Sequence, residues 1–328
     1  MTLHGDLLFY GDNTEFRNPF REGETLFGTA TRLWAGLDAS PRVTISLGVL
    51  TNQRFGSSDA FELVRPIVSL TVHGSRSTFV LGTLPRSFTA VGPDVGSPHR
   101  LLPPLQRETL SFERPHEAGL QWTFRSRLMT HDVWLNWQRL NTTAHRERFD
   151  AGAVAEVRVR RSFSIPLQFH VVHEGGQQFA SGPVADSVAG GAGVLLSHTS
   201  EKESSASIEV HGLASRFVPD RAQPNRSRNG AAFFGRAVVT RYRWRGHVIF
   251  WRGDDFIKDE GDPNYLSRRR DGTLYRGIRD YAEAGLTRSF QVAPDVQLQA
   301  AARVHRVERH YEYSYRVLGV AALRWRLP

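Results

Sequence analysis

The chain has 328 residues, and its 42 lysine and arginine residues outnumber 33 aspartate and glutamate residues, which gives a formal net charge of +9. It contains no cysteine, which excludes disulfide bonds, thiolate metal sites and cysteine nucleophiles. No segment approaches the roughly 18 consecutive apolar residues that a membrane-spanning helix requires. The first residues, "MTLHGDLLFYGD", show no basic region followed by an apolar stretch, so no signal peptide is visible.

Apolar and polar residues alternate along most of the chain. In "VQLQAAARVH", residues 296–305, Val296, Leu298 and Val304 fall on one side and Gln297 and Gln299 on the other. This period of two predicts strands with one apolar face, and no comparable 3.6-residue stripe indicates a helical domain. We predict sixteen strands, at about 2–11, 25–37, 42–53, 63–73, 77–84, 118–126, 130–140, 148–161, 165–175, 186–198, 205–217, 230–244, 246–254, 279–290, 296–309 and 313–327.

The predicted connections alternate in length. Short turns such as "DASP" and "GSR" are followed by longer segments, namely 12–24, 54–62, 85–117, 141–147, 176–185, 218–229 and 255–278. Short turns at one rim and longer loops at the other are typical of an up-and-down barrel in an outer membrane. The sequence therefore predicts an all-β, antiparallel transmembrane barrel that occupies residues 1–328 as a single domain.

The longest connection, residues 85–117, holds five prolines and the apolar residues Leu101, Leu102 and Leu105. A loop of this length without a strand pattern is usually functional or disordered. We expect it to fold against the wall or into the mouth and to constrict the pore. A loop that extends into solvent is the alternative.

With this architecture the chain resembles the Gram-negative outer-membrane β-barrels of the porin-like class, over nearly its whole length. The resemblance implies an integral protein of the cell outer membrane that contacts membrane lipid and lipopolysaccharide. Aromatic residues near strand ends, among them Tyr311, Tyr313 and Trp244, suit a membrane interface. Barrels of this class usually finish on an aromatic residue, whereas this chain finishes "LRWRLP".

A catalytic constellation is not evident in the sequence. Stretches such as "HTSEKESS" contain serine and histidine without a convincing spacing, and His170 and His173 do not match a zinc pattern. The segment "DDFIKDEGDPNY" carries Glu260 and Asp262 and is interpreted as a solvated acidic loop, which the arginines of "SRRRDG" could neutralise. We therefore expect no catalytic residues, no metal site, no cofactor and no enzymatic activity.

The preferred function is a channel for small hydrophilic solutes, with a preference for anions. Arginines are interleaved along the strands and do not form one basic face, so nucleic acid is not expected as a partner, and a homo-oligomer is allowed. The alternatives are an export conduit for an anionic polysaccharide, an outer-membrane enzyme that modifies lipid, and a soluble all-β binding protein. The residues predicted to line the pore are Arg32, Arg42, Arg125, Arg158, Arg160, Arg303, Arg316, Arg324, Glu117, Asp132, Glu156, Glu209 and Glu283.

Overall fold

The computed structural model describes residues 1–85, 99–176, 178–179, 181–200 and 204–326, and in that part of the chain it contains sixteen strands, one short α-helix and two 3-10 helices, Pro224–Arg226 and Pro263–Tyr265. No helix among these residues is long and apolar enough to cross a membrane. The strands are β1 Thr2–Arg17, β2 Glu22–Ser40, β3 Val43–Arg54, β4 Leu63–His73, β5 Ser77–Thr83, β6 Ala118–Arg125, β7 Met129–Arg139, β8 Glu147–Arg160, β9 Phe163–Gly175, β10 Ala185–Ser200, β11 Ser204–Val218, β12 Arg228–Arg241, β13 Trp244–Asp254, β14 Ile278–Ala293, β15 Val296–Val307 and β16 His310–Arg326; helix α1 is Leu110–Glu113.

Each strand pairs antiparallel with its neighbours in the chain, and β1 pairs with β16 from Thr2 opposite Arg326 to Glu15 opposite Tyr313. The sheet is thus closed and leaves no open edge, which a membrane-spanning sheet requires because lipid cannot satisfy unpaired backbone groups. The predicted class, an all-β antiparallel barrel with sixteen strands, is confirmed.

The first hairpin is longer than predicted. Residues 12–24 were expected to form a connection, but β1 continues to Arg17 and β2 begins at Glu22. The signal was hidden because both faces of this stretch carry polar residues near the rim, where Asp12 and Thr14 face inward and are buried. A polar inner face removes the contrast on which the recognition of a half-apolar strand depends.

The outer surface of the barrel is apolar. Along β3 and β4, Leu47, Val49, Val68 and Leu70 are exposed while the alternate residues turn inward. Aromatic residues lie toward both ends of this surface, with Tyr311, Tyr313 and Tyr315 near the start of β16 and Tyr242 and Trp244 at the opposite end. An apolar band between two aromatic girdles is the surface that lipid covers. The apolar face of the alternating pattern therefore meets lipid.

Two long connections fold into the barrel from the same end. We call residues 99–117 and 255–277 the inner segments. Leu101, Leu102 and Leu105 of the first and Phe256 and Tyr265 of the second are buried in one apolar cluster with inward-facing residues of the wall, including Trp134, Phe234, Trp251 and Tyr281. Residues 86–98, the remainder of the predicted constricting loop, lie outside the described residues.

Backbone hydrogen bonds join the two inner segments to each other. The Arg107 amide donates to the Glu260 carbonyl at 2.7 Å, and the Asp262 amide donates to the Pro103 carbonyl at 2.9 Å. From the wall, the buried Arg279 donates to the carbonyls of Asn264 and Leu266. Satisfied backbone groups are what permits irregular chain to lie inside a barrel.

Candidate functional site

The barrel wall is lowest at β5 and β6. β5 pairs with β4 only as far as Ser69 opposite Gly82, so residues 63–68 of β4 extend beyond it. On the other side β6 begins at Ala118, while β7 continues past it to Arg139. Pro66 lies in the overhanging part of β4, where a residue without an amide hydrogen is tolerated because few ladder bonds are required. We call this dip between β4 and β7 the notch.

A cavity of about 660 Å³ lies behind the notch. Its walls are the overhanging part of β4, the starts of β6 and β8, the end of β7, and α1 with its neighbours from the inner segments. Arg65, Arg114 and Arg139 line it together with Leu63 and Leu110. The cavity thus combines apolar surface with charged groups of both signs, since Glu113, Glu117, Asp150 and Glu260 also line it.

Asp150, on the inner face of β8, lines this cavity and is fully buried. Its Oδ1 accepts hydrogen bonds from Asn136 Nδ2 at 2.8 Å and Gln138 Nε2 at 2.7 Å, and its Oδ2 accepts one from Trp134 Nε1 at 3.0 Å. The donors lie at alternate positions of β7, so the period of the strand aims all three at one carboxylate.

His170 and Glu260 complete a buried polar cluster with Asp150. His170 Nε2 lies 3.3 Å from Asp150 Oδ2 and 4.0 Å from Glu260 Oε2. His170 Nδ1 lies 3.2 Å from the carbonyl oxygen of Leu105, which can only accept a hydrogen bond. Both ring nitrogens of His170 thus face groups that can only accept a hydrogen bond, and a neutral imidazole donates to one of them at a time. These three residues are called the Asp150 cluster below.

Positive charges surround the cluster. Arg114 Nη2 lies 2.7 Å from Glu260 Oε1, and Arg148 Nη2 lies 3.4 Å from the same oxygen. Burial raises the pKa of Glu260, but the neighbouring Arg114 outweighs this effect, so the net pKa lies below its ordinary value. Burial lowers the pKa of the nearby Lys258 ammonium to about 8, although Glu260 and Asp259 act in the opposite direction. The carboxyl group of Glu260 is held in its charged form.

A second polar network lies across the barrel on β14, β15 and β16. Ser314 Oγ is 2.8 Å from His305 Nε2, and Tyr281 OH is 2.7 Å from His305 Nδ1 and 2.6 Å from Glu283 Oε2. These contacts connect a serine, a histidine, a tyrosine and a carboxylate in that order. They resemble a catalytic serine, its base and an orienting acid, with the tyrosine between the base and the acid. The cavity beside it measures only about 30 Å³ and is lined by Glu283 but not by Ser314, so this network has little room for a substrate.

The residues predicted to line the pore fall into two groups. The first group faces inward and is buried or half-buried, and several of its members form ion pairs: Arg316 with Asp12 at 2.7 Å, Arg303 with Glu108 at 3.0 Å, and Arg236 with Glu209 at 2.5 Å. This group comprises Arg32, Arg303, Arg316, Glu117, Asp132, Glu156, Glu209 and Glu283.

The second group is exposed near the short turns. Arg42 lies in the turn between β2 and β3 and not on a strand. Arg158 and Arg160 flank an irregularity at the end of β8, and no ion pair joins Glu156 to either of them among the described residues. The exposed members are Arg42, Arg125, Arg158, Arg160 and Arg324. The thirteen residues thus do not form one site.

The sequence does not predict the Asp150 cluster. It gives His170 no metal or catalytic pattern, it does not single out Asp150, and the acidic composition around Glu260 predicts a solvated loop. That interpretation is wrong for Glu260, whose side chain is only 3% exposed. The available signal was "DDFIKDEG" itself, because Phe256 and Ile257 in the middle of an acidic loop need an apolar environment. The predicted neutralisation holds in part, since Arg268 Nη2 lies 3.1 Å from Asp259 Oδ1.

Solved structures with the same fold are outer-membrane barrels. The chain is similar to the outer membrane protein OmpT of Vibrio cholerae (loop L8 deletion mutant), with a TM-score of 0.59 at 9% identity over 98% of this chain and 99% of that one. It is also similar to Pseudomonas aeruginosa OpdL, with a TM-score of 0.58 at 14% identity over 99% of each chain. For Pseudomonas aeruginosa OccK8 (OprE) the TM-score is 0.57 at 11% identity, over 99% and 98%. The predicted porin-like barrel class is confirmed.

No curated protein matches the chain in sequence. A family model described as lipid A 3'-O-deacylase-type matches residues 1–323. With the closed barrel and its apolar outer surface, these findings make the chain an integral protein of the Gram-negative outer membrane. The family is named for an enzymatic activity, so the expectation that the chain is not an enzyme is wrong. The chain belongs to the lipid A 3'-O-deacylase-type family.

Proposed function

We propose that this barrel hydrolyses an acyl ester of lipid A in the cavity behind the notch. The observation that carries the proposal is that Asp150 and Glu260 of the Asp150 cluster line a cavity beside the lowest part of the wall. A lipid in the membrane would reach the cavity laterally through the notch, with its acyl chain against Leu63 and Leu110. Arginines at the mouth suit the phosphate groups of such a lipid.

The reaction requires a water molecule, a base and a site for the developing negative charge. The oxygen of water attacks the ester carbonyl carbon, the bond from that carbon to the sugar oxygen breaks, and a proton passes from the water to the departing sugar oxygen. The Asp150 cluster is the group that activates the water, because its buried oxygen and nitrogen atoms converge on one point. Arg114, which lines the same cavity, is placed to stabilise negative charge on the carbonyl oxygen.

The test is loss of an acyl chain from lipid A, followed by mass spectrometry with the purified barrel in detergent. We expect His170→Ala to reduce the rate by about 100-fold or more, the usual contribution of a positioned acid–base group. His305→Gln, which alters the second polar network, is the matched control and should retain most of the rate. If His305→Gln lost the activity and His170→Ala retained it, the reaction would be assigned to Ser314 and His305. A wild-type barrel that leaves lipid A intact would contradict the proposal.

A channel for small anionic solutes is the second candidate function. It is supported by Arg236, Arg245, Arg303 and Arg316, which surround the small cavity on the inner face of the wall. Rings of arginine in a confined lumen favour anions, because low-dielectric walls focus the field. The paired acids Glu108, Glu209 and Asp12 reduce this preference.

The partners proposed for the barrel follow from its surface. Membrane lipid covers the apolar outer face, and lipopolysaccharide supplies the lipid A substrate. Vibrio cholerae OmpT, to which the chain is similar with a TM-score of 0.58 at 8% identity, has been described in a trimer form. Assembly of this chain into a homo-oligomer remains a proposal that crosslinking in native membranes would test.

A further inference from the structure

The rim that the short turns form is strongly basic. Five of these turns carry an exposed arginine that forms no ion pair in the described part of the chain, namely Arg42, Arg76, Arg127, Arg161 and Arg243. The exposed acids close to the same turns, among the described residues, are Asp38 and Asp295. At the opposite rim exposed arginines have acidic partners, as Arg252 has in Asp280 at 3.4 Å. The excess of positive charge therefore lies at one end of the barrel.

Two further arginines at the short-turn rim face the lipid on either side of a tryptophan. Arg241, the last residue of β12, lies opposite Trp244 of β13, and Trp244 lies opposite Arg288 of β14. Opposite residues of an antiparallel pair share one face of the sheet. Val248 and Phe250, further along this face of β13, are exposed apolar residues of the outer surface. Arg241, Trp244 and Arg288 are called the rim site below.

Aromatic rings hold the two guanidinium groups of the rim site. The guanidinium carbon of Arg288 lies 4.8 Å from the ring centroid of Trp244 and 4.9 Å from that of Phe290. The guanidinium carbon of Arg241 lies 5.6 Å from the ring centroid of Tyr242. Contact with the face of a ring attracts a cation and leaves its N–H groups free to donate. Neither arginine forms an ion pair in the described part of the chain.

The position of the rim site indicates what these N–H groups bind. Strands β12 and β14 are two strand spacings, or about 10 Å, apart, so both long side chains can reach one group between them. Tryptophan and tyrosine lie at the level of lipid headgroups, which places the arginines at the level of lipid phosphates. The fork of a guanidinium group matches the oxygens of a phosphate.

We propose that Arg241, Trp244 and Arg288 bind an anionic phospholipid, such as phosphatidylglycerol or cardiolipin. Its phosphate lies between the two guanidinium groups, and an acyl chain covers Val248 and Phe250. A zwitterionic headgroup binds more weakly, because its ammonium group is repelled by the same arginines. The proposal does not depend on lipid A hydrolysis.

The place of the rim site in the barrel separates this lipid from lipid A. In outer-membrane barrels the short turns face the periplasm, where the leaflet consists of phospholipids. The notch lies toward the opposite rim, because β5 starts beside the short turn at residues 74–76 and ends early at Thr83. A second copy of the chain is a poor occupant, since this rim offers the arginines few exposed acids in the described part of the chain.

The experiment is native mass spectrometry of the full-length barrel released from detergent, with one lipid added at a time. We expect the wild type to retain phosphatidylglycerol or cardiolipin at least tenfold more tightly than phosphatidylcholine. Arg241→Gln combined with Arg288→Gln should weaken this binding by about twentyfold, since each basic residue near an anionic membrane surface contributes about fivefold. Arg76→Gln combined with Arg127→Gln removes the same charge from two turns of this rim and is the matched control. It should weaken binding less than threefold, and heat-dependent mobility in gel electrophoresis verifies that every variant is folded.

The remaining outcomes would overturn the rim site. Equal weakening by the two double variants would show that lipid responds only to the total charge of the rim. Equal retention of phosphatidylcholine and phosphatidylglycerol would remove the need for the arginines, and tighter retention of lipid A would exclude the assignment to phospholipid. Dimers that dissociate in the Arg241→Gln, Arg288→Gln variant, with lipid retention unchanged, would place a second copy on this surface. Lipid A hydrolysis, measured separately on the same variant, should equal that of the wild type, so failure of either proposal is recognised independently.

Discussion

His99 is a buried histidine held between two acids and a tryptophan. Its Nδ1 lies 2.9 Å from Asp132 Oδ2 and its Nε2 lies 3.2 Å from Glu117 Oε2, while its ring stacks on Trp134 with centroids 3.8 Å apart. Burial by itself lowers the pKa of His99, but Glu117 and Asp132 outweigh it and raise the pKa to about 9. The histidine is therefore a cation at neutral pH, and it ties the two ends of the first inner segment, at His99 and Glu117, to β7.

This ion triad makes the inner segment sensitive to alkali. Because the pKa in the folded chain is raised above the ordinary 6.5, the stabilisation is fully present below pH 6.5 and is lost as the pH rises through about 9. We expect Trp134 emission, and resistance of residues 99–117 to protease, to change between pH 8 and 10. His99→Gln should remove this pH dependence and destabilise the segment by about 2 kcal/mol, since it leaves the buried Glu117 and the half-buried Asp132 without their cation.

Trp134→Phe gives the control for the fluorescence measurement, because the pH-dependent part of the emission should disappear with that ring. A wild-type emission that is flat from pH 7 to 10, with the segment still protected from protease, would contradict a charged His99.

At the scale of elements, the short strand β5 determines where the wall is lowest among the described residues. It spans seven residues, while β1, β2, β10, β14 and β16 each span at least sixteen. Above its end, β4 and β7 are separated by three strand spacings, or about 14 Å. This width exceeds that of an acyl chain. The proposed access through the notch thus depends on strand length and not on any one side chain.

A bulky residue in the notch should therefore obstruct long acyl chains. Ala118 begins β6 and lines the cavity. We expect Ala118→Trp to reduce hydrolysis of lipid A by tenfold or more and to affect a short-chain soluble ester much less, because only the long substrate must pass the notch. Ala206→Trp, on the exposed face of β11, is the control and should leave both rates unchanged. Equal losses with both substrates would place the entry route elsewhere.

At the scale of the whole molecule, sixteen strands enclose a lumen that two inner segments enter from one end. Barrels of this size leave an aqueous channel unless segments of the chain narrow it. The constriction of the pore by residues 85–117 remains a prediction. The conductance of the barrel measures how far the inner segments fill the lumen.

Conductance in planar bilayers should therefore be small, and any current in a salt gradient should be carried more by anions than by cations. Deletion of residues 100–112 should raise the conductance severalfold, because it removes Leu101, Leu102, Leu105 and Phe112 from the lumen. Shortening the exposed turn at residues 74–76 is the matched control. A cation-selective wild-type current would end the anion-channel candidate, and an unchanged conductance after the deletion would refute constriction by this segment.

The alternation of side chains along each strand is a local property, and the sequence by itself determined what depends on it. The closed antiparallel barrel, its number of strands, and the lipid-facing set such as Val296, Leu298 and Val304 all follow from a period of two and from the turn residues. The inward direction of Glu283 and Arg303 follows in the same way. Each of these conclusions needs only neighbouring residues.

Only the tertiary structure decided which distant residues meet. Asp150 and His170 lie on adjacent strands, twenty positions apart, and Glu260 comes ninety positions later on a connection whose acidic composition pointed to solvent. It lies inside because Phe256 and Tyr265 gain more from burial in the apolar cluster than Glu260 loses once Arg114 and Arg148 pair with it. Such a balance depends on partners supplied by other elements. The strands could therefore be predicted from the sequence, whereas the Asp150 cluster required the closed barrel and the inner segments folded within it.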